Sequence, residues 1–323
     1  MKRDRIQKQQ LKKFEGLTPL QKKDFLREKL TERARQIRYI YPMSHSQRAI
    51  YLAYQSDPKS SAYNVAFSAT IRSGLNVATL KSAFNKLIQR HPSLRTIYFF
   101  KGGEPFQEIH LSSELAFFQF NAENWPEEEL KVKVKEDYNR PINLEKGPVS
   151  RVSLYNCGHD HYVLLFVIHH ISCDAWSLML LLEDLEGIYA ADQEKRNDRL
   201  EPMEWEYLDY VKTQNLLLTG KKYNRLKNYW LKRLPGDTEG TQISLDHARS
   251  SVITFNGSSV HFELPAELHL KLKKIAQKEK ATLFIVLLAA FNVLLYKYTG
   301  RDKLQFATSD AGRRQNQRQL IAH

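Results

Sequence analysis

The clearest pattern in this chain is a run of apolar residues that ends in two adjacent histidines. Residues 161–169 read HYVLLFVIH, and His170 follows directly. A run that is apolar at nearly every position, rather than at every second one, is typical of a β-strand buried on both faces. The segment Arg151–Asn156 precedes it across Cys157-Gly158, which predicts a hairpin. Both histidines are therefore predicted to lie where a central strand leaves the core.

Amphipathic helices are predicted on either side of this hairpin. Val77–His91 and Trp176–Ala190 repeat apolar residues at spacings of three and four, and Thr282–Tyr298 is strongly apolar and ends at Gly300. The pattern also predicts helices at Ser46–Gln55 and over most of Leu208–Leu234, and strands at Asn64–Ile71, Leu94–Phe100, Glu104–Ile109, Ser259–Leu264 and Leu304–Thr308. Strands and helices mixed without regular βαβ alternation favour α/β sandwiches over a Rossmann or barrel fold.

Charge separates a basic N-terminal extension from a nearly neutral body. The formal net charge is +13, and residues 1–38 hold thirteen Lys and Arg against five Asp and Glu. A nucleic-acid-binding protein would need its excess charge on the folded body, interleaved with aromatic residues, so nucleic acid is not expected as a partner. Thr18-Pro19 is typical of a helix start. Residues 1–39 are therefore interpreted as a basic helical linker or docking extension.

The cysteines and the apolar runs of the sequence indicate the cellular compartment of the protein. Cys157 and Cys173 form neither a CxxC pair nor a zinc pattern, which fits a reducing cytoplasm. The N-terminus lacks the apolar stretch of a signal peptide. The longest apolar run, Phe284–Tyr296, is interrupted by Asn292 and is shorter than the about 20 residues that a membrane span needs. We expect a cytoplasmic protein without a membrane partner.

The pair of histidines and the aspartate that follows it form the main candidate for chemistry. His169 and His170 are adjacent, and Asp174 comes four residues after the second. Adjacent strand residues point to opposite faces, so only one histidine can face a substrate, and a shared metal site is not expected. An imidazole can take a proton from an amine or a hydroxyl near neutral pH. Phosphate-binding glycine loops, a GxSxG elbow and an HExxH motif are all missing from the sequence.

Five segments of the chain, in order, resemble the core motifs of one known family. Ser44–Tyr51, SHSQRAIY, is similar to SxAQxRLW; Arg90–Tyr98, RHPSLRTIY, to RHExLRTxF; and Ile168–Ser177, IHHISCDAWS, to HHxxxDG. Tyr207–Val211, YLDYV, is similar to YxDYAxW, and Ala281–Arg313 to the stretch that leads into a fifth motif. The family is the condensation domains of nonribosomal peptide synthetases, in the chloramphenicol-acetyltransferase-like superfamily.

The chain also departs from the family pattern. Ala175 stands where the third motif has glycine, and Pro92 stands where the second has glutamate. The fifth motif, of the form GxFVNT, is not reached before the sequence ends. The resemblance implies two chloramphenicol-acetyltransferase-like α/β sandwich lobes arranged in a V around a tunnel. Residues 40–218 are expected to form the N-terminal lobe and residues 219–323 an incomplete C-terminal lobe.

The resemblance also implies an activity in secondary-metabolite biosynthesis. Such a domain is an acyltransferase that forms an amide bond between an acyl thioester donor and an aminoacyl acceptor. Donor and acceptor peptidyl carrier proteins deliver both substrates on 4'-phosphopantetheine, and an adenylation domain lies adjacent. No cofactor is expected to bind the chain itself. Because the second lobe is expected to be incomplete, the isolated chain is expected to be barely active.

The same resemblance implies the roles of individual residues. His170 would orient or deprotonate the acceptor amine, the backbone N–H of Ala175 would help to hold the oxyanion, and His169 would be structural. Asp174 would be structural as well, with Arg90 or Arg95 as its expected partner. Four further residues are expected to support the tunnel: Ser44, Gln47, Trp176 and Ser177.

Other functions remain open at the level of sequence. The first alternative is a related acyltransferase that uses a soluble acyl thioester, or an epimerisation domain of the same superfamily. The second is a remnant that binds carrier proteins without catalysis. The missing fifth motif favours this second alternative.

Overall fold

The computed structural model describes residues 38–196, 200, 203, 205–234, 243–248, 257–308, 312 and 321. The proposed linker at 1–39 therefore lies almost entirely outside the described residues and stays a prediction. By their contacts, the described residues form two units. The first extends to Gly220 and includes Gly312 and Ile321, and the second runs from Lys221 to Thr308.

The first unit contains two β-sheets. One has three antiparallel strands in the order β1-β4-β3, formed by β1 (Arg38–Pro42), β3 (Thr96–Lys101) and β4 (Glu104–His110). The other has four strands in the order β2-β7-β6-β5, formed by β2 (Asn64–Arg72), β5 (Phe117–Asn121), β6 (Ser150–Asn156) and β7 (His161–His169). Among the strand pairs of the described residues, only β5–β6 is parallel. The hairpin predicted around Cys157-Gly158 is confirmed, since β6 and β7 pair antiparallel.

The first unit also contains five α-helices among its described residues. In the second unit, the described secondary structure is helical. The first unit has α1 (His45–Ser56), α2 (Val77–Arg90), α3 (Glu127–Tyr138), α4 (Ala175–Gln193) and α5 (Tyr207–Leu217), and a short 3-10 turn at Pro92–Arg95. The second unit has α6 (Gly220–Arg233, beginning at the boundary), α7 (Ala266–Lys278) and α8 (Leu283–Thr299). The mixed α/β class predicted from the sequence is confirmed.

Strand β7 is apolar at consecutive positions because it separates two cores. Leu164, Phe166 and Ile168 pack with α2 and α4 in one cluster of buried residues. Leu165 and Val167 enter a second cluster on the opposite face, which includes Tyr51 and Tyr98. Neighbouring strands β2 and β6 flank β7 on both sides, so its backbone is paired as well. The strand is therefore enclosed in every direction, as its sequence predicted.

Several elements differ from the predictions, and each difference has a physical reason. The predicted helix Leu208–Leu234 is two helices, α5 and α6, interrupted at residues 218–219. Helix α3 was missed because it buries no residue and is rich in Glu and Lys, so it carries little apolar periodicity.

The predicted strands Ser259–Leu264 and Leu304–Thr308 are wrong, since both segments are irregular. A strand needs a neighbour to pair with, and an alternating pattern does not supply one. In the part of the chain that the structure describes, neither segment pairs with a strand.

The C-terminal end of the chain also differs from the expected division into lobes. Residues 219–323 were assigned to the second lobe, yet Ile321 lies buried in the α2–α4 core of the first unit. The boundary at 218/219 otherwise stays a prediction. Among the described residues, no single helix is long and apolar enough to cross a membrane. Helices α7 and α8 meet that condition only as a pair, and they are bent by 104° at the break between them.

A half-buried carboxylate joins α3 to the four-stranded sheet. Asp137, in the last turn of α3, lies 3.1 Å from Arg151 Nε on β6 and accepts hydrogen bonds from the hydroxyls of Ser153 and Tyr155. Arg151 is almost fully buried and also donates to the carbonyl oxygen of Arg140 at 2.8 Å. Burial lowers the pKa of the Arg151 guanidinium, and the charge of Asp137 acts in the opposite direction. The charge of Arg151 is therefore compensated by Asp137, and the carboxylate of Asp137 by Arg151.

Asp137→Asn is expected to lower the free energy of unfolding by about 3–5 kcal/mol, because it leaves the buried charge of Arg151 without a counterion. Urea denaturation followed by circular dichroism measures the change. Glu136→Gln is the matched control, since Glu136 is exposed and pairs with the exposed Lys133 at 3.0 Å. The control is expected to change stability by less than about 1 kcal/mol. Equal effects from both variants would contradict the prediction.

Candidate active site

His169 is built into the core at the end of β7. Its side chain is buried, with the ring of Tyr63 stacked on it and the edge of Tyr54 against it. Its backbone N–H donates to the carbonyl oxygen of Val149 at 2.9 Å, and its Nδ1 accepts from the N–H of Ile171 at 3.2 Å. These contacts support the structural role expected for His169.

His170 is the partly exposed member of the pair. Its backbone N–H donates to the carbonyl oxygen of Tyr63 at 2.7 Å, and its ring Nδ1 lies 2.9 Å from the carbonyl oxygen of Cys173. A carbonyl oxygen only accepts, so Nδ1 must carry the proton in this contact. In the neutral ring Nε2 is then the basic nitrogen. The turn therefore selects the tautomer that accepts a proton at Nε2.

Asp174 begins helix α4. Its Oδ1 accepts from the N–H of Ser177 at 2.7 Å, which is the side-chain cap of a helix N-terminus. Ser177 is fully buried, whereas Ala175 and Trp176 are exposed in the first turn. The N–H groups of a first helical turn point away from the helix and carry partial positive charge. Ala175 thus stands at the positive end of α4, a few residues after His170.

The two arginines expected beside Asp174 make other contacts. Arg90 Nε lies 2.8 Å from Asp184 Oδ2, and His91 Nε2 lies at the same distance from that oxygen. Burial by itself raises the pKa of the Asp184 carboxyl, but the hydrogen bonds from His91 and Arg90 outweigh it and lower the pKa. Arg95 donates to the carbonyl oxygen of His110. Both arginines therefore tie elements of the first unit together, and a pairing of either with Asp174 stays a prediction.

Ser44 and Gln47 form a capping box at the start of α1. The N–H of Gln47 donates to Ser44 Oγ at 3.1 Å, and the N–H of Ser44 donates to Gln47 Oε1 at 3.1 Å. Ser44 Oγ also lies 2.6 Å from the hydroxyl of Tyr207 at the start of α5. The first and fourth motif segments, 163 residues apart at this contact, therefore meet inside the fold.

A buried line of hydrogen bonds connects this capping box to the histidine turn. Gln47 Nε2 donates to the hydroxyl of Tyr98 at 3.3 Å, and that hydroxyl lies 3.0 Å from Ser172 Oγ. The sequence reasoning selected Ser44 and Gln47 but missed Tyr98, Ser172 and Tyr207. All three lie inside segments that resemble family motifs, and this position was the signal that was available.

A cleft of about 820 Å³ opens elsewhere in the first unit, between α3 and the strands β2 and β7. Its lining includes Ala66, Ser68 and Val163 from the sheet and Leu130 from the helix, and it contains none of the predicted site residues. Within the described residues, no group of three or more His, Cys, Asp or Glu side chains is placed to hold a metal ion.

Comparisons with known proteins match most of the chain. A family model described as Condensation domain matches residues 37–321. Tyrocidine synthase 3 of Brevibacillus parabrevis is 32% identical over 273 residues, which are 84% of this chain and 4% of that protein. Surfactin synthase subunit 1 of Bacillus subtilis is 31% identical over 275 residues, 85% of this chain and 7% of that protein. The chain thus spans only a small part of these relatives.

Solved structures give the same result for the fold. A crystal structure of a four-domain nonribosomal peptide synthetase superposes with a TM-score of 0.76 at 25% identity, over 89% of this chain and 22% of that one. The starter condensation domain of rhizomide synthetase gives a TM-score of 0.65 at 19% identity, over 88% of this chain and 64% of that one.

Asp174→Ala is expected to lower the free energy of unfolding by about 1 kcal/mol, because the N–H of Ser177 loses its side-chain acceptor. Asp174→Asn keeps an oxygen in the same place and is expected to retain most of that stability. Thermal melting of the three proteins measures the difference. Equal melting temperatures for Asp174→Ala and the unchanged chain would show that the cap contributes nothing.

Proposed function

The chain belongs to the condensation-domain family of nonribosomal peptide synthetases, and we propose that it forms an amide bond between two carrier-bound substrates. The observation that carries the proposal is the 2.9 Å contact between Nδ1 of His170 and the carbonyl oxygen of Cys173. A ring whose Nδ1–H is held by the carbonyl oxygen of Cys173 has its basic nitrogen at Nε2, the form that a general base requires.

The proposed reaction uses these groups as follows. The acceptor amine attacks the carbonyl carbon of the donor thioester while Nε2 of His170 orients the amine and takes its proton. A C–N bond forms, the C–S bond breaks, and the proton leaves with the thiolate as a thiol. The N–H of Ala175, at the positive end of α4, stabilises the charge that develops on the carbonyl oxygen. Ala175 is exposed at the first helical position, and this supports its tolerance in place of glycine.

The substrates and partners of the chain belong to the same proposal. The relatives are named as synthases of peptides such as tyrocidine and surfactin, and one structural neighbour is a four-domain nonribosomal peptide synthetase. This supports donor and acceptor peptidyl carrier proteins as partners, with each substrate on 4'-phosphopantetheine, and an adjacent adenylation domain. A cytoplasmic location is part of the proposal. The chain itself is proposed to bind no cofactor.

His170→Ala is expected to lower the rate of amide formation by about a hundredfold or more, because the general base is lost. His169→Ala is the matched control and is expected to lower thermal stability far more than the rate, since His169 is buried among aromatic rings. The assay uses the complete polypeptide in which the chain occurs, with loaded donor and acceptor carriers, and mass spectrometry detects the product. A well-folded His170→Ala protein with the original rate would contradict the assignment.

The same assay separates the alternative functions. Equal turnover of coenzyme A thioesters and carrier-bound thioesters would indicate a free-standing acyltransferase. Exchange of the substrate α-hydrogen with deuterium from solvent, without amide formation, would indicate epimerisation. Carrier binding without turnover of any kind would indicate a non-catalytic role.

A further inference from the structure

We propose that the hydroxyl of Tyr98 is a positioning group for His170, acting through Ser172 on the turn that holds the histidine ring. The proposal rests on the proposed function, since it takes His170 as the group that acts on the substrate. It concerns a buried side chain on β3 that does not itself contact a substrate.

The Tyr98 hydroxyl makes two buried hydrogen bonds, and the neighbours of Gln47 fix the direction of one of them. The N–H of Ser44 can only donate, so the atom of Gln47 beside it is Oε1, and Nε2 faces Tyr98. An amide nitrogen also only donates, so the hydroxyl oxygen of Tyr98 is an acceptor for Gln47. The same hydroxyl lies 3.0 Å from Ser172 Oγ, a contact in which either oxygen can be the donor.

Burial keeps this arrangement intact. The side chains of Tyr98, Gln47, Ser44 and Ser172 are each at most 1% exposed. Burial raises the pKa of the Tyr98 phenol above its ordinary value, so the group stays protonated and able to donate at neutral pH. A hydroxyl that loses its partner in such a place cannot turn to water instead.

Ser172 transmits the contact to the histidine. Its N–H donates to the carbonyl oxygen of His169 at 2.9 Å, and its side chain is held by Tyr98, so the residue is fixed from two sides. The next residue, Cys173, supplies the carbonyl oxygen that receives the proton of His170 Nδ1. A shift of Ser172 therefore moves the acceptor that selects the tautomer of His170.

The tautomer of His170 is the readout. In ¹⁵N-labelled protein, the signals of Nδ1 and Nε2 report which nitrogen carries the proton, and their absence from His170→Ala assigns them. Tyr98→Phe removes one oxygen atom and keeps the ring, and the family motif has phenylalanine at this position, so the variant is expected to fold. We expect the ratio of the Nδ1–H form to the Nε2–H form to fall about fivefold, the equivalent of one net hydrogen bond.

Ser172→Ala tests the same step from the other side. If Tyr98 acts through Ser172, this variant changes the ratio by a similar factor, and the double variant changes it no further. Additive effects of the two substitutions would overturn the proposal.

Tyr155→Phe is the matched control. It makes the same chemical change at another buried tyrosine of the first unit, whose hydroxyl donates to Asp137 at 3.3 Å. It is expected to lower stability and to leave the His170 ratio unchanged. An unchanged ratio in Tyr98→Phe, or an equal change in Tyr155→Phe, would show that the Tyr98 hydroxyl serves stability alone.

Kinetics separates a failure of this proposal from a failure of the proposed function. Where the unchanged protein forms amide, Tyr98→Phe is expected to lower kcat about fivefold with little change in KM. If the unchanged protein forms no amide, the proposed function fails, and the tautomer ratio still decides whether Tyr98 positions His170.

Discussion

The structure of the first unit depends on a strand that is buried on both faces and leads directly into a half-buried histidine, His170. Strand β7 ends in a turn whose polar groups are bonded one after another, from the N–H of His169 to the cap at Asp174. Buried backbone groups without partners would cost several kcal/mol. The hydrogen bonds that satisfy the turn therefore also hold the backbone and the ring of His170.

A second constraint is the cost of polar side chains inside the core. Ser44, Gln47, Tyr98 and Ser172 are buried beside apolar clusters, and each of them is accounted for by a partner in the same line of hydrogen bonds. A network of this kind stabilises a fold only when it is complete, since a half-satisfied network is worse than an apolar core. Four of the motif segments of the sequence therefore contribute side chains to one network of buried hydrogen bonds.

Charged groups in the first unit divide into those that hold elements together and those that surround the reactive turn. Asp137 with Arg151, and Asp184 with Arg90 and His91, join helices to strands or to other helices at buried and half-buried positions. Asp174 has a different role because it caps α4 and directs the positive end of that helix toward the turn. The chemistry proposed for His170 needs both kinds of charged group. The ion pairs hold the scaffold in place, and the cap orients the positive end of α4.

The sequence by itself determined the central hairpin and the helices on either side of it, because apolar periodicity is a local property of the chain, and the HHxxxD spacing predicted a site at the end of that hairpin. The predictions from sequence were wrong where an element depends on contact with a distant part of the chain. The segments 259–264 and 304–308 alternate like strands and pair with none among the described residues, and Ile321 packs on a core that precedes it by more than a hundred residues. Only the tertiary structure brought Tyr98 to the histidine turn and Tyr207 to Ser44, because hydrogen bonds between distant residues leave no period in the sequence.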